Sequence, residues 1–110
     1  MGFIKRINAK RRRSSWLKRF GSKAYRAMVR AMSCLVPDCQ RSPIDAHHHP
    51  TVGAGGTYRD LTPLCSGIDG HHTEFHSTGQ ATFQKKYGLD IKAAAEKIYR
   101  AGAHLVGGES

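Results

Sequence analysis

The first thirty residues contain no aspartate and no glutamate, although they hold eleven of the chain's eighteen lysines and arginines. The rest of the chain carries seven basic against eight acidic residues, so the formal net charge of +10 sits almost wholly at the N-terminal end. A basic arm beside a near-neutral body fits contact with a polyanion, nucleic acid above all. Solvation of a basic tail is the plainer explanation of the same charge. Long apolar runs are also missing. No stretch approaches the roughly 18 apolar residues of a membrane helix, and no apolar core follows the basic start as it does in a secretory signal. A transit-type leader shares the basic, acid-poor composition. Aromatic residues are scarce at 8%, and 39% of the 110 residues are hydrophobic. One domain with a modest core is therefore expected, and a bound metal would reinforce it. Three cysteines is an odd number. It does not suit a disulfide framework, and a reducing cytoplasm is the expected compartment.

Residues 1–22, with Arg11, Arg12 and Arg13 ahead of Trp16 and Phe20, are expected to be partly disordered without a ligand. Trp16 and Phe20, four apart, can share one face of a short helix and dock on the body. The segment 23–32 predicts a helix with Tyr25, Met28, Val29 and Met32 on one side. Between Cys34 and Cys65 the four prolines and Gly53, Gly55 and Gly56 break any helix. Strands are expected at 44–48 and near 61–64. A helix follows Asp69-Gly70, with Asp69 as its N-cap, and runs to Thr78 before Gly79. Two packing helices complete the chain, at 81–87 and 91–101, the second carrying an apolar stripe of Ile91, Ala94, Ala95 and Ile98. The tail from Gly102 is expected to fray, with His104 a bystander. The boundaries predict a basic arm and helix over 1–33 and a second unit over 34–110.

The chemistry-bearing residues cluster. All three cysteines lie between 34 and 65, and six of the seven histidines between 47 and 76. Cys34 and Cys39 form one pair of candidate ligands, Cys65 and His71 a second. Together they make a Cys3His set of the kind a structural zinc takes, although three buried free cysteines would also satisfy the pattern. His72 and His76 are four apart on the expected helix and face the same way. Adjacent residues on a strand point to opposite faces, so His47 and His48 cannot both reach one metal ion without a bend.

The stretch Cys34…Cys39…Ala46-His47-His48…Asp60-Leu61-Thr62-Pro63-Leu64-Cys65…His71-His72-x-x-x-His76 resembles the HNH (ββα-metal finger) endonucleases. The closer similarity is to the phage recombination-enhancement (Ref-like) subset, and it covers about residues 34–88. His47 stands where many of these enzymes have a metal-binding aspartate, Asp60 where they have the middle asparagine, and His71 where they have a zinc-site cysteine. His76 is a helix ligand that many lack.

The resemblance implies an α+β fold: a ββα catalytic unit, a structural zinc knuckle, one N-terminal helix and two C-terminal packing helices. It implies a metal-dependent hydrolysis of DNA phosphodiester bonds, in phage DNA recombination or processing, within a bacterial or phage-infected cytoplasm. His48 is then the general base, Asp60 the acceptor that orients it, and His47, His72 and His76 the holders of a catalytic divalent ion. Zn2+, Mg2+ and Mn2+ all remain open for that ion, with nitrogen ligands favouring a transition metal. The register within His47-His48-His49 can slip by one. Structural Zn2+ falls to Cys34, Cys39, Cys65 and His71. Lys10, Arg11, Arg12, Arg13, Lys18 and Arg19 are the expected DNA contacts, with Arg41 and Arg59 flanking the site. A recombinase filament or other DNA-processing protein is a partner the resemblance raises. Two other readings compete: a catalytically inactive zinc-stabilised DNA-binding module, and a metal carrier or sensor. The module leaves His47, His48, His72 and His76 without a task. The basic arm and the segment from Asp60 to Cys65 count against the carrier.

Overall fold

In the computed structural model, which describes residues 15–106, Ile44–His48 and Leu61–Cys65 form strands β1 and β2. They pair antiparallel, with Ile44 opposite Cys65, His47 opposite Thr62 and His48 opposite Leu61. Five helical segments surround this ribbon: α1 over 15–20, α2 Lys23–Arg30, α3 His71–Thr78, α4 Gln80–Tyr87 and α5 Ile91–Gly102. The protein is thus α+β. β1, β2 and α3 follow one another in the chain, separated by a long loop with two short 3-10 turns and by the turn 66–70. No helix among the described residues is long and apolar enough to cross a membrane.

All five residues of β2 are buried, because helices cover it from both sides, and such a strand reads as a near-continuous apolar run. Two hydrophobic clusters meet at the ribbon. One joins Ile44, Leu64 and Cys65 to Phe75, Phe83 and Ile91. The other joins Leu61 to Tyr25, Val29 and Ile98, with Phe20, Met28 and Met32 packed against it. The helix preceding Cys34 is therefore part of the same packed body. It starts where Ser22 accepts the backbone N–H of Tyr25, which satisfies an otherwise orphaned donor.

Three expectations are corrected. Partial disorder was expected over 1–22, but residues 15–20 are helical, and Phe20 docks on the second cluster as its spacing from Trp16 allowed, 5.1 Å from the Trp16 ring. Residues 1–14, with Lys10, Arg11, Arg12 and Arg13, lie outside the described residues. The tail does not fray at Gly102. A 3-10 turn, Ala103–Leu105, follows, Ser22 Oγ donates to the Leu105 carbonyl, and Leu105 and Val106 pack on the second cluster. Gly102 is buried there, where a Cβ would meet Met28 Sδ at 2.6 Å. Asp69 does not cap α3; the N-cap is Gly70. A Cβ at Gly70 would collide with the Ser66 carbonyl oxygen and stand 2.5 Å from that of Cys65. Only glycine lets the chain turn so tightly from β2 into α3, and the Asp69 carboxylate goes instead to Arg41, at 2.9 Å.

Candidate metal centres

The turn at 66–70 brings the end of β2 against the start of α3, and this closes the first centre. Cys34, Cys39, Cys65 and His71 converge, with ligand atoms within 4.8 Å of one another. His71 Nδ1 lies 3.2 Å from Cys65 Sγ and 3.5 Å from Cys34 Sγ, and Cys39 Sγ lies 3.9 Å from Cys65 Sγ. Bond lengths for tetrahedral zinc imply edges of about 3.6 Å between sulfur and nitrogen and about 3.8 Å between two sulfurs, so the set fits one ion. Burial pushes the Cys34 thiol up to about 11. A thiol so reluctant to ionise becomes a ligand only when a cation stabilises the thiolate. The backbone N–H of His71 also donates to Cys65 Sγ at 3.2 Å.

The second centre lies on the other stretch of the ribbon. The 3.6-residue period of α3 directs His71 to the cysteines, Phe75 to the core, and His72 and His76 toward β1. There they meet His47, and the three form a second group with ligand atoms within 4.8 Å. His72 Nε2 and His76 Nε2 are 3.1 Å apart, close to the roughly 3.3 Å edge between two nitrogens on tetrahedral zinc. His47 is 1% exposed, and neither of its ring nitrogens has a hydrogen-bond partner. Burial, with the His72 and His76 charges adding to it, pushes His47 down to about 3. Burial, then His72, also lowers His76. A buried polar nitrogen without a partner is costly, and a cation at the meeting point of three neutral imidazoles would satisfy it. Glu74 is not a ligand: its carboxylate accepts from Tyr87 at 2.5 Å and Lys86 at 2.6 Å.

His48 points to the face opposite His47, as strand alternation requires, and lines the rim of one cleft of about 220 Å³ with His47, His72 and His76. Its Nε2 lies 2.7 Å from the carbonyl oxygen of Arg19 in α1. A carbonyl only accepts, so Nε2 carries the proton and Nδ1 keeps its lone pair. The Phe20 ring packs 5.4 Å away. Burial lowers the His48 pKa, against the opposing pull of the Arg19 carbonyl, which favours the neutral form. The expected contact with Asp60 is not made. The Asp60 carboxylate accepts the backbone N–H of Thr57 at 2.8 Å in a capping box and acts on His48 only through its charge. His49 stacks parallel to His47 with ring centres 6.4 Å apart and touches Phe75.

The flanking cations are placed differently from expectation. Arg41 sits beside the cysteine set, bound to the Asp69 backbone carbonyl and carboxylate. Arg59 lies over the Tyr99 ring at 4.3 Å. Neither lines the histidine cleft. Lys18 is exposed, whereas Arg19 is half-buried with its guanidinium 5.2 Å from the Phe20 ring.

Two contacts of the candidate site escaped the sequence reading. One is the Arg19 carbonyl, a backbone atom with no sequence signature. The other is Asp45, whose Oδ2 lies 2.8 Å from His72 Nδ1. Its signal was the two-residue spacing to His47, which puts both on one strand face. Comparison with known proteins gives no match to a family model, to a curated sequence or to a solved structure.

Proposed function

We propose that the protein is a metal-dependent DNA endonuclease built on the HNH ββα-metal plan, with structural zinc at Cys34, Cys39, Cys65 and His71. The observation that carries this reading is the second centre. A structural ion is satisfied by the first set alone, yet three further imidazoles converge on one point, one of them buried with both nitrogens unpartnered. Beside them stands a fourth histidine whose tautomer is fixed by a backbone carbonyl.

His47, His72 and His76 hold the catalytic ion. Three nitrogen donors favour zinc or another transition metal over magnesium, which prefers oxygen. Such an ion supplies a Lewis acid that offsets negative charge on a phosphodiester. His48 takes a proton from water at Nδ1 while its Nε2–H stays on the Arg19 carbonyl. The water oxygen bonds to phosphorus, and the bond from phosphorus to one deoxyribose oxygen breaks. A neutral imidazole with a free lone pair suits that task at neutral pH. Lys18 and the basic residues ahead of it hold DNA phosphates without reading sequence. Free cysteines set for metal rather than pairing suit a reducing compartment, and phage DNA recombination or processing is the setting the motif pattern supports.

The competing reading, a zinc-stabilised DNA-binding module, is separated by chelation and add-back. Supercoiled plasmid is nicked with Zn2+, Mn2+ or Mg2+ restored, and not with EDTA. DNA binding without nicking under every metal favours the module.

A further inference from the structure

We infer that Asp45 is the positioning residue of the three-histidine centre: it holds His72 as an Nε2 ligand by accepting its Nδ1–H. The inference rests on the metal-centre reading above and deepens it. Asp45 Oδ2 is 2.8 Å from His72 Nδ1, while the opposite nitrogen, Nε2, faces His76 Nε2 at 3.1 Å. The carboxylate accepts and cannot donate, so the ring proton belongs on Nδ1 and the lone pair on Nε2. That leaves the lone pair on the atom facing the other two imidazoles. The His72 ring lies 4.7 Å from the His47 ring, and Asp45 shares a strand face with His47, so one short strand supplies both a ligand and the holder of a second ligand. The Asp45 carboxylate makes no other hydrogen bond or ion pair among the described residues. A carboxylate behind a metal-binding histidine fixes its tautomer and ring direction and raises its basicity, and losing such a partner costs about 10–100-fold in metal affinity. It also brings a negative charge toward a site whose three ligands are neutral.

The test uses the full chain with its cysteine set loaded with zinc, titrated with Co2+ as a probe of the histidine centre. Asp45→Ala should weaken Co2+ binding by about 10–100-fold, and Asp45→Asn by less, because the amide oxygen still accepts. Zinc content and melting temperature before Co2+ addition should stay at parental values. Nitrogen-15 correlations of His72 should show the Nδ1–H tautomer in the parent and its loss in Asp45→Ala. Glu96→Gln, which removes a distant charge, should bind Co2+ like the parent; an equal loss there would reduce the effect to net charge and overturn the inference. If His72→Ala abolishes Co2+ binding while Asp45→Ala leaves both affinity and tautomer unchanged, Asp45 is only a surface ion-pair partner. If His72→Ala binds Co2+ as tightly as the parent, the metal centre itself is wrong and the inference falls with it.

Discussion

At the scale of single residues, the chain separates two kinds of histidine by what lies behind each ring. His71 has sulfur on one side and joins the structural set; His72, its neighbour, has the Asp45 carboxylate behind it and two imidazoles in front. One residue of rotation on a helix, about 100°, is enough to send adjacent side chains to different centres. The two centres should therefore fail separately. Cys65→Ser removes a fully buried ligand and should lose the ion of the first centre. Structural ions contribute folding energy directly, so stability should drop by about 4 kcal/mol or more, read by metal analysis and denaturant unfolding. A variant that keeps its ion and parental midpoint would contradict the assignment.

At the scale of elements, the strands and the helices from α2 onward were legible because local chemistry announced them. Gly79 stopped α3, and Asp90 capped α5 by accepting from Ala93. The errors fell where a long-range contact overrode the local signal. Asp69 is a good N-cap by type, but the close passage of Gly70 over the 65–66 backbone makes glycine the cap and frees Asp69 for Arg41. Gly70→Ala should therefore destabilise the protein by about 1–3 kcal/mol and weaken metal binding by the cysteine set, because the obstacle is backbone that cannot swing away. Parental stability and zinc affinity in that variant would argue against the tight turn. The pairing of His48 with Arg19 spans 29 residues, and no spacing rule predicts a bond to a carbonyl so far along the chain. Asp60 was assigned the orienting role from the motif alone, while its own capping box had already claimed the carboxylate.

The packing of α1 on His48 lets the proposed roles of the basic arm be tested separately. Deleting residues 1–14 removes six lysines and arginines and should lower the salt dependence of DNA binding, by about 0.9 in slope for each phosphate no longer neutralised. Cleavage of saturating bound DNA should survive. Deleting residues 1–22 also removes the Arg19 carbonyl, Phe20 and the Ser22 cap, and should slow cleavage even at saturation. Equal saturating rates for the two deletions would show that α1 does nothing for His48.

At the scale of the whole molecule, one two-stranded ribbon organises everything. Its face toward α3 presents Asp45 and His47, its face toward α1 and α2 presents His48, and its end carries Cys65 to the first centre. Cys34, Cys39, Cys65 and His71 meet where the end of the ribbon reaches the head of α3, so an ion held there, as proposed, would tie the two together. Clustering in the sequence picked out the cysteines and histidines that the fold gathers into two groups. It did not show which rings hold which, because that depends on packing between segments far apart in the chain.

The central claim is tested most directly by plasmid nicking with the parent and His48→Ala side by side, with metal content measured on both samples. The account predicts equal metal content, equal DNA binding, and a loss of nicking in the variant of about 10²-fold or more. Parental nicking by His48→Ala would contradict the assignment of the base. A parent that holds both ions, binds DNA and never cuts it would contradict the nuclease itself.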